Sequence, residues 1–143
     1  MKLKVKKLHP DATIPSRGSP KASGLDLYSL ETVVLCPGET KLIKTGIAFE
    51  IPDGYEIQVR ARSGLSLKTG FRLANGIGTV DSDYTGDCSV IGFHAGHDNV
   101  ITINPGDRIA QAVLCPVALI DPEEVTDLPE TRRGAAGFGS TGV

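Results

Sequence analysis

The chain has 143 residues, 40% of them apolar but only 5% aromatic and none tryptophan, with a net charge of -2 and a pI near 5.9. This length suits a single domain with a core of Val, Ile, Leu and Ala, and the acidic balance excludes a protein that holds nucleic acid by neutralising its phosphates. The amino end, MKLKVKKLHP, has charge but no apolar h-region, no run approaches the ~20 apolar residues of a membrane span, and Cys36, Cys88 and Cys115 are widely spaced, so a soluble, cytoplasmic protein with reduced thiols is expected.

In chain order, ASGLDLYS (22–29) starts a strand in which Asp26, between Leu25 and Leu27, reads as an exposed alternating residue. Residues 32–35 and 41–51 have β character, and Pro37-Gly38, Pro52-Asp53-Gly54 and Pro105-Gly106-Asp107 are turn signals between β-type runs. Strict alternation over 55–62 puts Tyr55, Ile57, Val59 and Ala61 on one face and Glu56, Gln58, Arg60 and Arg62 on the other, the pattern of a half-buried strand. Residues 63–68 alone can make a helical turn or two. In RARSGLSLKTG (60–70), Arg62, the Ser63 hydroxyl and the first free backbone N–H groups then converge as an anion site. The same residues read equally as a solvated strand edge with Ser63 as N-cap.

NGIGTVDSDYTGD (75–87) has the composition of a surface hairpin. Alternation sets Thr79 and Asp81 opposite Val80, so Asp81 is held near the end of a strand, where a fixed carboxylate can orient and deprotonate a water. Further strands are predicted over 89–93, 100–103 and 109–117. In PGDRIAQAVL, Asp107 and Arg108 read as turn and surface ion-pair residues; Gln111 breaks an apolar strand and is either satisfied by backbone or aimed at a ligand. Residues 121–130 carry five acids and two prolines, a linker composition. Fully extended, residues 121–133 span on the order of 40 Å. The terminal GFGSTG (137–142) matches G-x-G-x-x-G, but only Val143 follows, so the helix a dinucleotide fingerprint needs has no room. Walker and G-x-S-x-G motifs are absent, and His9, His94 and His97 lack metal-ligand spacing. Many short strands with regular turns favour an antiparallel sandwich or barrel.

Taken in order, ASGLDLYS, RSGLSLK, NGIGTVDSDYTG, GDRIAQ and RGAAGFGSTG resemble the five motifs of the trimeric deoxyuridine triphosphatases (dUTPases), a likeness running from Ala22 to Gly142. The resemblance implies an all-β distorted jelly roll, or β-clip, with one short helix, assembled as a homotrimer. Residues 1–120 would form the β domain, and 121–143 a linker and exchanged C-terminal arm that closes over a neighbour's active site. It implies hydrolysis of dUTP to dUMP and pyrophosphate with Mg²⁺, limiting uracil in DNA and supplying dUMP for thymidylate synthesis. Asp81 would activate the water; Arg62, Ser63, Gly64 and Gln111 would meet the phosphate chain; Asp26 would hold Mg²⁺ through water. Asn75, Gly78, Thr79 and Val80 would read the uracil edge above Tyr84, which packs under the deoxyribose. In the arm, Phe138 would cover the base, and Arg133, Gly139, Ser140 and Thr141 would grip the β- and γ-phosphates, with Arg132 as the alternative to Arg133. The chain departs from the family's pattern over 88–99, where Gly92 and His94 stand in place of a larger apolar residue and an Asn, a packing change that bears on the trimer axis. Rivals are a dCTP deaminase on the same fold, disfavoured because no Glu accompanies Asp81, and a non-catalytic nucleotide switch.

Overall fold

The structure, a computed structural model, describes residues 2–137. Eleven strands and one helix follow in the order β1 (Lys4–Lys7), β2 (Leu25–Tyr28), β3 (Val33–Leu35), β4 (Thr40–Ile43), β5 (Ile47–Glu50), β6 (Tyr55–Ala61), α1 (Ser63–Thr69), β7 (Phe71–Leu73), β8 (Gly78–Val80), β9 (Val90–His94), β10 (Ile101–Ile103) and β11 (Arg108–Pro116). All pairings are antiparallel: a four-stranded sheet β2-β11-β6-β8, a three-stranded sheet β4-β9-β7, and the pairs β1-β5 and β10-β3. The all-β reading with one short helix after Arg62 holds.

The three turn signals fold as read. Each is closed by a backbone bond across four residues: Glu39 N–H to the Cys36 carbonyl at 3.0 Å, Tyr55 to Pro52 at 3.1 Å and Asp107 to Asn104 at 3.0 Å. The run expected over 41–51 is broken in two. At Gly46 the chain takes φ 69°, a left-handed conformation open to glycine, and the Gly46 N–H turns to the Asp87 carboxylate instead of a ladder partner. Two strands lay outside the sequence reading. Lysines dominate β1, suiting an edge strand that must resist further pairing, and β7 is too short for its alternation to stand out.

All four sheets feed one core. Leu27, Leu35, Ile43, Ile57, Phe71 and Ile109 are fully buried, each contributing roughly 2 kcal/mol of transfer free energy. Alternation along β6 works as expected at Ile57 and Val59, which are buried, whereas Ala61 at its end is exposed. The 88–99 segment supplies β9, the middle strand of its sheet. There the fully buried Phe71 ring occupies the space that a side chain at Gly92 would take. Buried His94 ties down the following loop: its Nδ1 accepts the Gly96 N–H at 3.0 Å and its Nε2 bonds the Asn99 carbonyl at 2.6 Å. Beyond Val117 the described chain, 118–137, is exposed and forms neither helix nor strand.

Candidate functional site

The hairpin read as a site candidate is a strand of the main sheet. Pairing of Ile57 with Val80, Gln58 with Thr79 and Val59 with Gly78 turns Val80 toward the core, so Thr79 and the following Asp81 belong to the outer face, as alternation predicted. At its entrance, the Gly76 N–H bonds the Leu73 carbonyl at 3.1 Å and the Ile77 N–H that of Asn75 at 2.8 Å. Gly78 lies so close to its neighbours that a Cβ there would sit 3.2 Å from the Val59 Cβ and 3.3 Å from the Asn75 Nδ2. Position 78 thus has no room for a side chain, which leaves its backbone and the Asn75 amide beside each other at this point.

Asn75, Gly78, Thr79, Val80, Asp81 and Tyr84 together border a cavity of about 300 Å³, closed on other sides by Leu42, Cys88 and Ile91 among others. That volume is at the low end for ligand pockets and fits a nucleoside-sized group. After β8 the chain turns back on itself, with the Tyr84 N–H bonded to the Asp81 carbonyl at 3.2 Å and the Tyr84 hydroxyl donating to the Asp87 carbonyl at 3.1 Å.

Cys88, 3% exposed, is pushed up to about 12 from an ordinary 9.0, first by burial and then by the neighbouring Asp87 charge. Because folding favours the neutral thiol, this stabilisation is complete below pH 9 and is lost as pH rises from 9 toward 12. Native protein should therefore lose about 1.4 kcal/mol per pH unit more steeply than a Cys88→Ala variant over that window. Denaturant titrations of both proteins at pH 8, 9, 10 and 11 check this; parallel profiles would contradict it.

A second group gathers where β2, β6 and β11 meet. Asp26, read from sequence as exposed, is 4% exposed, and the reason is two arginines. Arg62 Nε donates to its Oδ1 at 3.1 Å and Arg108 Nη1 to its Oδ2 at 3.2 Å, while Arg62 Nη1 also bonds the Arg108 carbonyl at 3.0 Å. One carboxylate between two guanidiniums leaves a net positive charge with N–H donors to spare, an arrangement suited to a polyanion. Arg108 is exposed and ion-paired, as its turn position suggested, but its partner is a buried acid. No local signal could have found it, since Asp26 lies 82 positions away.

Arg62 is also the N-cap of α1, without a side-chain cap bond, so Ser63 is the first helical residue and the N-cap reading of Ser63 is corrected. The Arg62 side chain is drawn to Asp26 instead. Gly64 and Ser63 are exposed at this helix start. Gln111 sits between Asp26 and Arg60 in the sheet register. Gln111 is half-buried, and its amide makes no hydrogen bond among the described residues, so backbone does not satisfy it; no buried side-chain N or O lacks a partner there, so that amide is open to solvent. Gly24 backs it closely: a Cβ there would lie 3.0 Å from the Gln111 Cβ and 3.1 Å from its Oε1.

Cavity and cluster are separate on this chain, for Asp26, Arg62, Ser63 and Gln111 do not line the cavity. In the arm, Arg133 Nε bonds the Ala136 carbonyl at 2.9 Å, and Arg132 and Arg133 are both exposed. Phe138, Gly139, Ser140 and Thr141 lie outside the described residues. Among the described residues no helix is long and apolar enough to cross a membrane.

Comparison with known proteins gives a consistent result. A family model described as dUTPase matches residues 10–142. A deoxyuridine 5'-triphosphate nucleotidohydrolase of Nautilia profundicola is 51% identical over 143 residues, covering 99% of each chain. One of Hydrogenobaculum sp. is 48% identical, covering 100% of this chain and 99% of its own. Among solved structures, a Staphylococcus bacteriophage 80alpha dUTPase with bound dUpNHpp superposes with a TM-score of 0.92 at 31% identity over 99% of both chains. A phage phi11 dUTPase, described for its coordination of a structural Mg(II) ion, gives 0.83 at 28% identity over 91% of this chain and 100% of its own.

Proposed function

Because this chain belongs to the dUTPase family, we propose that it hydrolyses dUTP to dUMP and pyrophosphate, limiting uracil in DNA and supplying dUMP for thymidylate synthesis. The observation that carries the reading is that Asp81 and Tyr84, joined in one turn, both border a nucleoside-sized cavity with Asn75 and Gly78. In this reading the uracil edge meets the Asn75 amide and the backbone of Gly78, Thr79 and Val80, with the Tyr84 ring beneath the deoxyribose. A backbone-lined slot rejects the extra methyl of thymine for lack of space. Asp81 takes a proton from a water whose oxygen bonds to the α-phosphorus as the bridge to the β-phosphate breaks and pyrophosphate leaves.

Arg62, Ser63, Gly64 and Gln111 bind the phosphate chain, supported by the excess positive charge around Asp26. The donor set fits Mg²⁺ carried mostly by water and phosphate: Asp26 is the one carboxylate between the arginines, and each of its oxygens keeps a lone pair beyond the bond it accepts. When bound, the ion would neutralise charge on the triphosphate. The separation of cavity from cluster supports a homotrimer in which neighbouring copies complete each site, with 1–120 as the β domain. The stretch 121–143, exposed over 121–137, then acts as linker and arm, bringing Arg133, Phe138, Gly139, Ser140 and Thr141 over the bound nucleotide. A cytoplasmic setting is supported by Cys36, Cys88 and Cys115, which are all unpaired.

The test is pyrophosphate release from dUTP, dCTP, dTTP and UTP with Mg²⁺. Turnover confined to dUTP is expected. Ammonia release from dCTP would move the protein to the deaminase branch, and dUTP binding without turnover would make the site a switch.

A further inference from the structure

Resting on the cavity as the deoxyuridine site, we propose that Asp87, a residue no role above has used, is a positioning residue that locks the Tyr84 ring in place and thereby sets discrimination against ribonucleotides. Its carboxylate is bonded entirely by neutral donors of the turn between β4 and β5 and of its own loop. The Gly46 N–H reaches Oδ2 at 2.9 Å and the Ser89 hydroxyl reaches Oδ1 at 2.8 Å, with the Thr45 N–H 3.4 Å from Oδ1. On the far side the Cys88 N–H bonds the Ile47 carbonyl at 2.8 Å and the Thr45 hydroxyl bonds the Cys88 carbonyl at 2.9 Å. The Asp87 side chain and the backbone of the next residue, Cys88, therefore both tie this loop to the β4–β5 turn.

That fixed backbone is what holds the tyrosine. The Asp87 carbonyl accepts the Tyr84 hydroxyl at 3.1 Å, and it accepts the Ser89 N–H at 2.9 Å as well. The hydroxyl end of the ring packs closely on Gly86: a Cβ there would sit 2.5 Å from the Tyr84 hydroxyl oxygen and 2.7 Å from Cζ. Tyr84 itself is 48% exposed, so core packing does not hold it and its hydroxyl bond and the bare Gly86 surface must. A cavity wall rejects a ligand bearing one extra hydroxyl only if the wall cannot retreat, since a yielding apolar surface discriminates poorly against such a change. Because Tyr84 also donates its N–H to Asp81, the same anchor bears on the turn carrying the proposed base.

The experiment measures kcat and KM for dUTP and for UTP, with thermal midpoints, in native protein, Asp87→Asn, Tyr84→Phe, Gly86→Ala and the Asp87→Asn/Tyr84→Phe double variant. Asp87→Asn presents an NH₂ group to donors and should raise KM for dUTP ~10-fold, hold kcat within ~3-fold, and cut the dUTP-to-UTP ratio of kcat/KM ~10-fold. Tyr84→Phe removes the other end of the tether and should lower the ratio similarly, with the double variant no worse than either single one. Gly86→Ala should displace the ring and give the same loss should Asp87→Asn not fold. Lower thermal midpoints with an unchanged ratio in all variants would overturn the proposal, leaving Asp87 a turn cap. Absence of dUTP turnover in native protein would instead overturn the nucleotidohydrolase reading, so the two failures are distinguishable.

Discussion

Replacing Asp81 by asparagine is expected to lower the rate of dUTP hydrolysis about 10³-fold while leaving affinity for a non-hydrolysable dUTP analogue within ~3-fold of native. The substitution keeps the shape of the side chain and removes its ability to take a proton. It leaves the turn intact, because the bond from Tyr84 goes to the Asp81 backbone carbonyl. Asp81 is exposed on the cavity rim and is no part of the core, so stability should hardly change. Single-turnover hydrolysis, analogue titration and thermal unfolding on the same samples separate these effects. A variant hydrolysing at a near-native rate would remove Asp81 as the base.

The second large effect is on folding. Gly92→Ala should cost about 2 kcal/mol and lower the thermal midpoint by several degrees, because a Cβ there would lie 2.6 Å from Phe71 Cε2, 2.9 Å from its Cζ and 3.0 Å from Ile43 Cδ1. Phe71 and Ile43 are both fully buried and have nowhere to move. Phe71→Leu alone leaves a cavity and destabilises as well. Combining the two substitutions lets the new methyl occupy part of that cavity, so the double variant should be more stable than the sum of the single losses by about 1 kcal/mol or more. Unfolding at one fixed protein concentration measures the cycle. Strict additivity would mean that Phe71 and Gly92 do not share this space. On this account the absence of a side chain at 92 makes room for the Phe71 ring between β7 and β9.

The sequence by itself determined the parts of this protein that depend on near neighbours in the chain. Pro-Gly and Asp-Gly pairs predicted three closed turns, period-two alternation identified β6, and the same alternation set Thr79 and Asp81 outward opposite Val80. Those signals are local, and the ordered motifs built on them were enough to point to the family. Tertiary structure alone decided the rest. Asp26 looked exposed until β11 brought Arg108 to it; Ser63 looked like an N-cap until Arg62 turned to the same acid; the run 41–51 looked continuous until Asp87 took the Gly46 N–H. Each of those partners is 36 or more positions away in the chain. A buried charge or a broken ladder is settled by whichever group the sheet register brings across, and that register is a property of the whole packed domain, with no trace in the spacing of nearby residues.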